Sequence, residues 1–382
     1  MATRIDPTLL YEIKEYGAVG IEKCFNCGNC TAICPLTSDE YPFPRNMIRR
    51  LQIGQRDKLV QHLDPWLCYY CGECSETCPK GAEPGETMMA MRRWLTAQYD
   101  WTGLSGKVYK GKGWIIAMLL VAAIVVIGLA ALLAGPMVTS QVELNTFAPV
   151  HMIHIADLIL AAALGIFLLS NLARMYFFVF GKEERQGIPL KIYLTGAWTL
   201  VFHTITQNRF SECEDSKRRW TNHLIIVAGY GTMFALIVVF LGWFQTDNIY
   251  PIYHPQRWLG YLAAGALIYG GVEAVLGRIR KEHEMHKHSH PSDWLFPILL
   301  VLLSASGLTI HFLRYAGLPM ATYYAYVAHL VIMMMLYVTV GPMGKWAHLL
   351  FRPFAVYFQE VKAKAAQLQR ETPAEAVASA AD

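Results

Sequence analysis

Charge is scarce in this chain. Asp, Glu, Lys and Arg make up 16% of its 382 residues while 54% are hydrophobic, a balance that excludes a wholly soluble protein of this length. The charge that is present has no strong sign in the N-terminal third. Residues 1–113 carry 14 Lys or Arg against 13 Asp or Glu, so they read as a near-neutral globular domain with no basic surface for nucleic acid. The first fifteen residues lack the apolar core of a secretory signal, which leaves this domain expected in the cytoplasm. Lys and Arg are absent altogether from 136–149. Cysteine is nearly absent outside one stretch: eight of the nine fall between Cys24 and Cys78, and Cys213 stands alone in a charged loop, where it reads as a free thiol.

What that stretch contains is a motif written twice. Cys24-x-x-Cys27-x-x-Cys30-x-x-x-Cys34-Pro35 returns as Cys68-x-x-Cys71-x-x-Cys74-x-x-x-Cys78-Pro79. Each copy lets one tight turn offer three thiolates to an iron–sulfur cubane, and the fourth cysteine of such a run ligates the other cluster. The spacing therefore assigns Cys24, Cys27, Cys30 and Cys78 to one [4Fe-4S] centre and Cys68, Cys71, Cys74 and Cys34 to a second. Zinc would take cysteine pairs, and disulfides would need an oxidising compartment. Asn26, Gly28, Gly72 and Glu73 between the ligands suit turns that wrap a cluster closely.

Around these motifs the spacing predicts short helices over 6–20, 45–63 and 85–99, with Met88, Met89 and Met91 as core. From Trp114 onward six apolar stretches reach bilayer length: 114–135, 150–180, 223–244, 257–277, 294–315 and 321–343. The basic residues lie in alternate connections. Lys107, Lys110 and Lys112 precede the first span, Lys182, Arg185, Lys191, Arg209, Lys217, Arg218 and Arg219 occupy 181–222, and Arg278, Arg280, Lys281 and Lys287 follow the fourth. The positive-inside rule then predicts a multi-pass protein of the cell inner (cytoplasmic) membrane, in contact with membrane lipid, with both termini cytoplasmic. The expected organisation is a helical two-cluster domain over 1–113, a six-span membrane domain over 114–352, and a cytoplasmic tail over 353–382, an amphipathic helix that frays. The fold class is mainly α.

Polar groups at membrane depth usually line a cofactor or ion path, so the 13 histidines need sorting. His223 opens span three, His329 lies a third of the way into span six, and His348 follows its end. If helical throughout, the run from His329 to His348 would rise about 28 Å, a bilayer thickness that suits two haems b stacked across the membrane. His223 and His348 are matched in depth for the inner haem. For the outer one His329 needs a partner, and His311 and His154 compete; His311 is favoured because spans three to six make a four-helix bundle and small Gly307 and Ser304 precede it. His151, His203 and His254 read as interfacial or loop residues. The run from His283 to His290 reads as a solvated loop. His151 and Asp157 are candidate proton acceptors at a quinone site.

The order of parts resembles a fusion of the small iron–sulfur subunit and the membrane cytochrome subunit of heterodisulfide reductases. His329-Leu330-Val331 through Pro342, Lys345 and His348 looks like the final haem-binding helix of the nitrate reductase gamma family, and Arg218-Arg219-Trp220-Thr221-Asn222-His223 is similar to that family's other ligand-bearing helix start. Where the gamma pattern has its second histidine, this chain has Met233. Over its full length the chain resembles the QmoC family, the membrane subunits of quinone-interacting membrane-bound oxidoreductases. That resemblance implies two [4Fe-4S] clusters and two haems b, with menaquinone as substrate. It also implies two flavin-containing heterodisulfide-reductase-like partners, QmoA and QmoB, and exchange with adenylylsulfate reductase in dissimilatory sulfur metabolism. No CCG-type catalytic cysteine segment is present, so the chain is expected to be an electron-transfer subunit without a complete active site. Alternatives from other classes are a haem-free anchor for a ferredoxin-like module and the equivalent subunit of a heterodisulfide reductase or sulfite-linked complex.

Overall fold

The computed structural model describes residues 4–38, 41–212, 217–341 and 345–379. Among these the chain is helical apart from turns and one isolated bridge between Ser38 and Tyr41, so the expected mainly-α class holds. In chain order the N-terminal helices are α1 (Leu9–Glu15), α2 (Asn29–Ile33), α3 (Arg45–Gln52), α4 (Arg56–Gln61), α5 (Asp64–Leu67), α6 (Glu73–Glu76) and α7 (Pro84–Tyr99). Then follow α8 (Leu104–Lys110), α9 (Lys112–Leu133), α10 (Leu144–Phe147), α11 (Val150–Val179), α12 (Lys182–Gly187) and α13 (Leu190–Thr206). The last are α14 (Lys217–Val238), α15 (Leu241–Phe244), α16 (Pro255–Arg280), α17 (Glu284–Lys287), α18 (Pro291–Tyr315), α19 (Pro319–Val340) and α20 (Ala347–Ser379). Cys213 and Pro342 lie outside the described residues.

Contacts divide the chain into two units that interleave in sequence: Met1–Trp101 with Ser170–Lys217 and Ala347–Asp382, and Thr102–Leu169 with Arg218–Trp346. In the first unit α7 is the central strut. Its Met88, Met91, Trp94 and Leu95 are buried, and Trp94 Nε1 donates to Glu12 Oε1 at 2.9 Å, fastening α1 to it. Arg93 is buried as well, donating to Tyr16 O at 2.8 Å and to Glu86 Oε1 at 3.1 Å, so its charge is paired. The helix expected over 45–63 is broken in two at Gly54, whose φ of 74° belongs to the left-handed region. A Cβ there would stand 2.2 Å from Asp6 O, so only glycine lets α1's leading segment approach.

The second unit holds most of the bilayer-length helices. Among the described residues, six helices are long and apolar enough to cross a membrane, Lys112–Leu133, Val150–Val179, Lys217–Val238, Pro255–Arg280, Pro291–Tyr315 and Pro319–Thr339; they overlap the six expected stretches, the third starting and ending six residues earlier than expected. Small residues set the closest approaches. A Cβ on Gly229 of α14 would meet Ala266 Cβ of α16 at 2.9 Å, and one on Gly271 of α16 would meet Val301 Cγ2 of α18 at 2.6 Å. Between apolar helices in lipid, such close backbone packing replaces the hydrophobic drive that water would provide. First and last spans also meet, because Leu119 of α9 packs on the core pair Leu299 and Leu336 of α18 and α19. The charge-poor 136–149 segment is held to this bundle: Tyr323 OH donates to Val138 O at 3.1 Å, and Gln245 Nε2 donates to Ala148 O at 2.9 Å.

Three details differ from expectation. Helix α14 begins at Lys217, so His223 stands nearly two turns inside it. The chain leaves α19 before Gly341 and re-enters helix only at Ala347, so no continuous helical rise joins His329 to His348. Gly341, which ends the helix, is the residue before a proline in the sequence, a position biased away from helical dihedrals. Lastly, the segment 181–222, read as a loop, contains the 17-residue helix α13.

Candidate metal centres

The two cysteine repeats fold alike. In the first, a 3-10 turn over Ile21–Lys23 ends at an extended Cys24, Asn26 takes φ 62°, and Gly28 at φ 92° starts α2, which carries Cys30 and ends at Cys34. In the second, α5 ends at Cys68, Tyr70 takes φ 54°, and Gly72 at φ 99° starts α6, which carries Cys74. The left-handed residues stand at equivalent places, one before the second cysteine and one after it. They reverse the chain around a common centre, freely for glycine and at about 1–2 kcal/mol each for Asn26 and Tyr70. The turns also aim amides at sulfur: Tyr70 N–H donates to Cys68 Sγ at 3.3 Å and Ala82 N–H to Cys78 Sγ at 3.4 Å.

Helices α2 and α6 pack side by side, and Asn29 Nδ2 donates to Thr77 O at 2.6 Å. This pairing crosses the ligands over. Cys24, Cys27, Cys30 and Cys78 line one hollow beside Gly28 and Arg45. Cys34, Cys68, Cys71 and Cys74 line another beside Tyr69 and Met88. Each set surrounds a hollow, an arrangement that suits a cubane.

Electrostatics points the same way. Burial, then the nearby Cys24, pushes the Cys30 thiol up to about 11, with Cys27 and Cys78 adding to it. Burial lifts Cys34 to about 12 against the Leu36 amide, and Cys68 and Cys71 raise it further. Cys74 is raised well above the ordinary thiol range by burial and by the surrounding cysteines. Four thiolates share such a hollow only when a cation compensates them, as cluster iron does.

The two sets differ in surroundings. Cys27 is exposed and lies beside the exposed ring of Phe25, whereas Cys68 is buried. Arg352 of α20 donates to Trp66 O at 3.2 Å and Cys68 O at 3.0 Å, with its guanidinium 4.5 Å above the Tyr69 ring. Tyr69 also stacks on Phe210 at 5.1 Å, and its hydroxyl lies 3.1 Å from His203 Nε2. His203, expected to be interfacial or in a loop, is a buried residue of the helix α13. The sequence signal was present, as Leu190, Leu194, Trp198, Val201 and Ile205 recur at helical intervals.

Burial, then the charges of Arg209 and Arg352, pulls His203 down to about 4 from an ordinary 6.5. Unfolded, the imidazole takes its proton near 6.5; folded, only near 4, so its contribution is complete above that window and is lost as pH falls through it. The thermal midpoint of the wild type is expected to fall on acidification from pH 7 to 5 more steeply than that of His203→Gln. The difference in slope approaches about 1.4 kcal/mol per pH unit in mid-window, and equal slopes would show that His203 is not held neutral.

The candidate haem ligands fall in both units. His348 lies on α20 in the first, and His223, His154, His311 and His329 lie in the second. His154 Nε2 is 3.0 Å from Val238 O, and His311 Nε2 is 2.5 Å from Tyr261 OH. In both, Nε2 is engaged by protein. His329 differs: its Nδ1 is 2.9 Å from Ser306 Oγ, whose own hydrogen is donated to Leu303 O at 2.9 Å. Ser306 therefore accepts from Nδ1–H, which leaves the Nε2 lone pair for a metal. His329 and His311 face different neighbours, α18 and α16. His151 is exposed on the first turn of α11, and Asp157 is half-buried one turn beyond His154. His290 caps α18, accepting from Ser292 N–H at 3.2 Å.

A family described as the 4Fe-4S dicluster domain matches residues 20–82. Over 98 residues the chain is 37% identical to an Archaeoglobus profundus protein that is like the C subunit of heterodisulfide reductase, covering 25% of this chain and 52% of that one. It is 35% identical over 65 residues to the C subunit of the H(2):CoB-CoM heterodisulfide,ferredoxin reductase of Methanothermobacter marburgensis, covering 17% and 35%. Over 79 residues it is 30% identical to the iron-sulfur C subunit of the CoB--CoM heterodisulfide reductase of Methanopyrus kandleri, covering 21% and 41%. The chain thus spans about half the length, or less, of these curated relatives. No solved structure matches it. The chain carries an iron–sulfur dicluster domain homologous to the C subunits of heterodisulfide reductases and proteins like them, together with six helices fit to span a membrane.

Proposed function

We propose that this chain is the electron-transfer subunit of a membrane respiratory complex, passing electrons between menaquinol and flavin-containing subunits on the cytoplasmic side of the inner membrane. The observation that carries the reading is the union in one chain of two cross-ligated cysteine sets and six bilayer-length helices. Clusters held by those cysteines, and haems b on His329, His223, His348 and either His311 or His154, would supply one-electron carriers. The chain's own residues do the rest. Burial of Cys68 and exposure of Cys27 give the two cluster sites an inner and an outer end, and Ser306 fixes the tautomer of His329. His151 and Asp157 are the proposed proton acceptors for quinol. The resemblance to the QmoC family adds QmoA, QmoB and adenylylsulfate reductase as proposed partners, with dissimilatory sulfur metabolism as the setting.

A second reading has a specific observation behind it: the ring nitrogens of His154 and His311 are already engaged by protein, as they would be in a haem-free anchor. One optical experiment separates the two. Adding a menaquinol analogue to the oxidised purified protein is expected to produce reduced b-haem bands quickly. The absence of such bands even with dithionite would leave the anchor reading in their place.

A further inference from the structure

Helix α13 carries an apolar stripe that none of the described residues covers. Leu190, Leu194, Trp198, Val201 and Ile205 lie on one face and are each 47–72% exposed. The opposite face is the packed one. Gly196 meets the Tyr357 ring of α20, where a Cβ would stand 3.2 Å away, Tyr357 OH donates to Tyr193 O at 3.0 Å, and His203 is buried against Tyr69. A helix with five large apolar residues turned outward along one face, Trp198 in their middle, needs an apolar medium on that side.

The covalent connections say which medium. Ten residues separate the end of α11 from the start of α13, and ten more separate its end from α14. Both α11 and α14 are bilayer-length helices, and the connection between successive spans starts and finishes at one membrane face. Helix α13 is thereby tethered to that face at both ends. At 17 residues it is about 26 Å long, short of a full span, and its stripe is one-sided. Lys191 is its only charged residue, and the connections on either side are mixed in charge, Lys182, Arg185, Arg209 and Lys217 against Glu183, Glu184, Glu212, Glu214 and Asp215, so the apolar stripe and the two tethers carry the placement.

We propose that α13 lies in the membrane surface with its stripe at the headgroup–acyl boundary, and that its inner face, through His203 and Tyr69, holds the Cys68 loop, making the Cys34/Cys68/Cys71/Cys74 set the membrane-proximal of the two cluster sites. The lipid-facing and Tyr69-facing sides are opposite sides of one helix, so the loop stands roughly 10 Å from the boundary. The Cys24/Cys27/Cys30/Cys78 set, with Cys27 exposed, is the distal one. The cluster assignment rests on the dicluster domain, and the placement of α13 holds whatever the electron donor.

The test uses the full chain in nanodiscs of phosphatidylethanolamine and phosphatidylglycerol, with p-benzoylphenylalanine introduced singly at Leu194, Trp198 or the exposed Tyr11. Irradiation is expected to yield phospholipid adducts by mass spectrometry at Leu194 and Trp198 and none at Tyr11. Adducts only to protein at the two α13 positions would make the stripe a partner face and overturn the proposal, as would their failure to react with lipid while the protein stays folded. The cluster order is read separately. A gadolinium-chelating lipid should speed the electron-spin relaxation of the cluster lost in Cys34→Ser several-fold more than that of the cluster lost in Cys78→Ser. Equal or reversed effects would overturn that part. Neither readout depends on quinol oxidation, so either can fail while the proposed function stands, and the reverse.

Discussion

Replacing Cys78 with serine together with Cys27 is expected to leave one cluster intact, whereas replacing Cys78 together with Cys71 is expected to leave none. Cys27 and Cys71 sit at the same position of the two repeats, and Cys78 belongs to the second. If each repeat held its own cluster, pairing Cys78 with Cys71 would damage one site and pairing it with Cys27 would damage both. The cavities assign the opposite: Cys78 stands with Cys24, Cys27 and Cys30, and Cys34 with Cys68, Cys71 and Cys74. Iron should therefore fall from about eight atoms per chain to about four in the first double variant and close to zero in the second. The reciprocal pair, Cys34→Ser with Cys71→Ser, should also retain about four. The fold enforces this crossing because α2 and α6 lie side by side and each repeat's fourth cysteine follows its helix into the other repeat's turn.

His329→Ala is expected to abolish the absorbance of one b haem while leaving the iron–sulfur signals unchanged. The expectation rests on the Ser306 contact, which commits Nδ1 and leaves Nε2 as the free donor. Ser306→Ala should retain the haem but weaken its binding about 10–100-fold, the usual cost of removing the group that orients a ligating imidazole. Alanine at His311 and at His154 then decides between them, since the partner of His329 must share its phenotype and the other should not. Loss of haem absorbance in neither His329→Ala nor its partners would mean that these histidines are structural, as the anchor reading requires.

Much of this is legible in the residues alone. The repeated cysteine spacing groups the same cysteines that line each hollow, because a cubane demands three thiolates from one tight turn and a fourth from elsewhere. Hydropathy locates the six long helices to within about six residues, since a bilayer sets a length that any local window detects. The exceptions are informative. Helix α13 was hidden in a segment read as a basic loop, because its 17 residues are too few to span and only their one-sided period marks them. His203, expected to be interfacial or in a loop, belongs to that helix. The helix bearing His329 ends before Gly341, the residue preceding a proline, whereas a continuous rise to His348 requires an unbroken helix.

Local chemistry reads out of the residues a helical dicluster domain, two groups of cysteines and six stretches of bilayer length. Which distant groups meet depends on how the helices pack. That packing brought Arg352 and His203, 283 and 134 residues beyond Tyr69, onto that one ring beside Cys68. It gave His329 a serine partner while turning His311 to Tyr261 and His154 to the Val238 carbonyl. Spacing along a chain constrains neighbours within a turn or two, whereas the partner of a buried polar group is chosen by whichever helix packs opposite it.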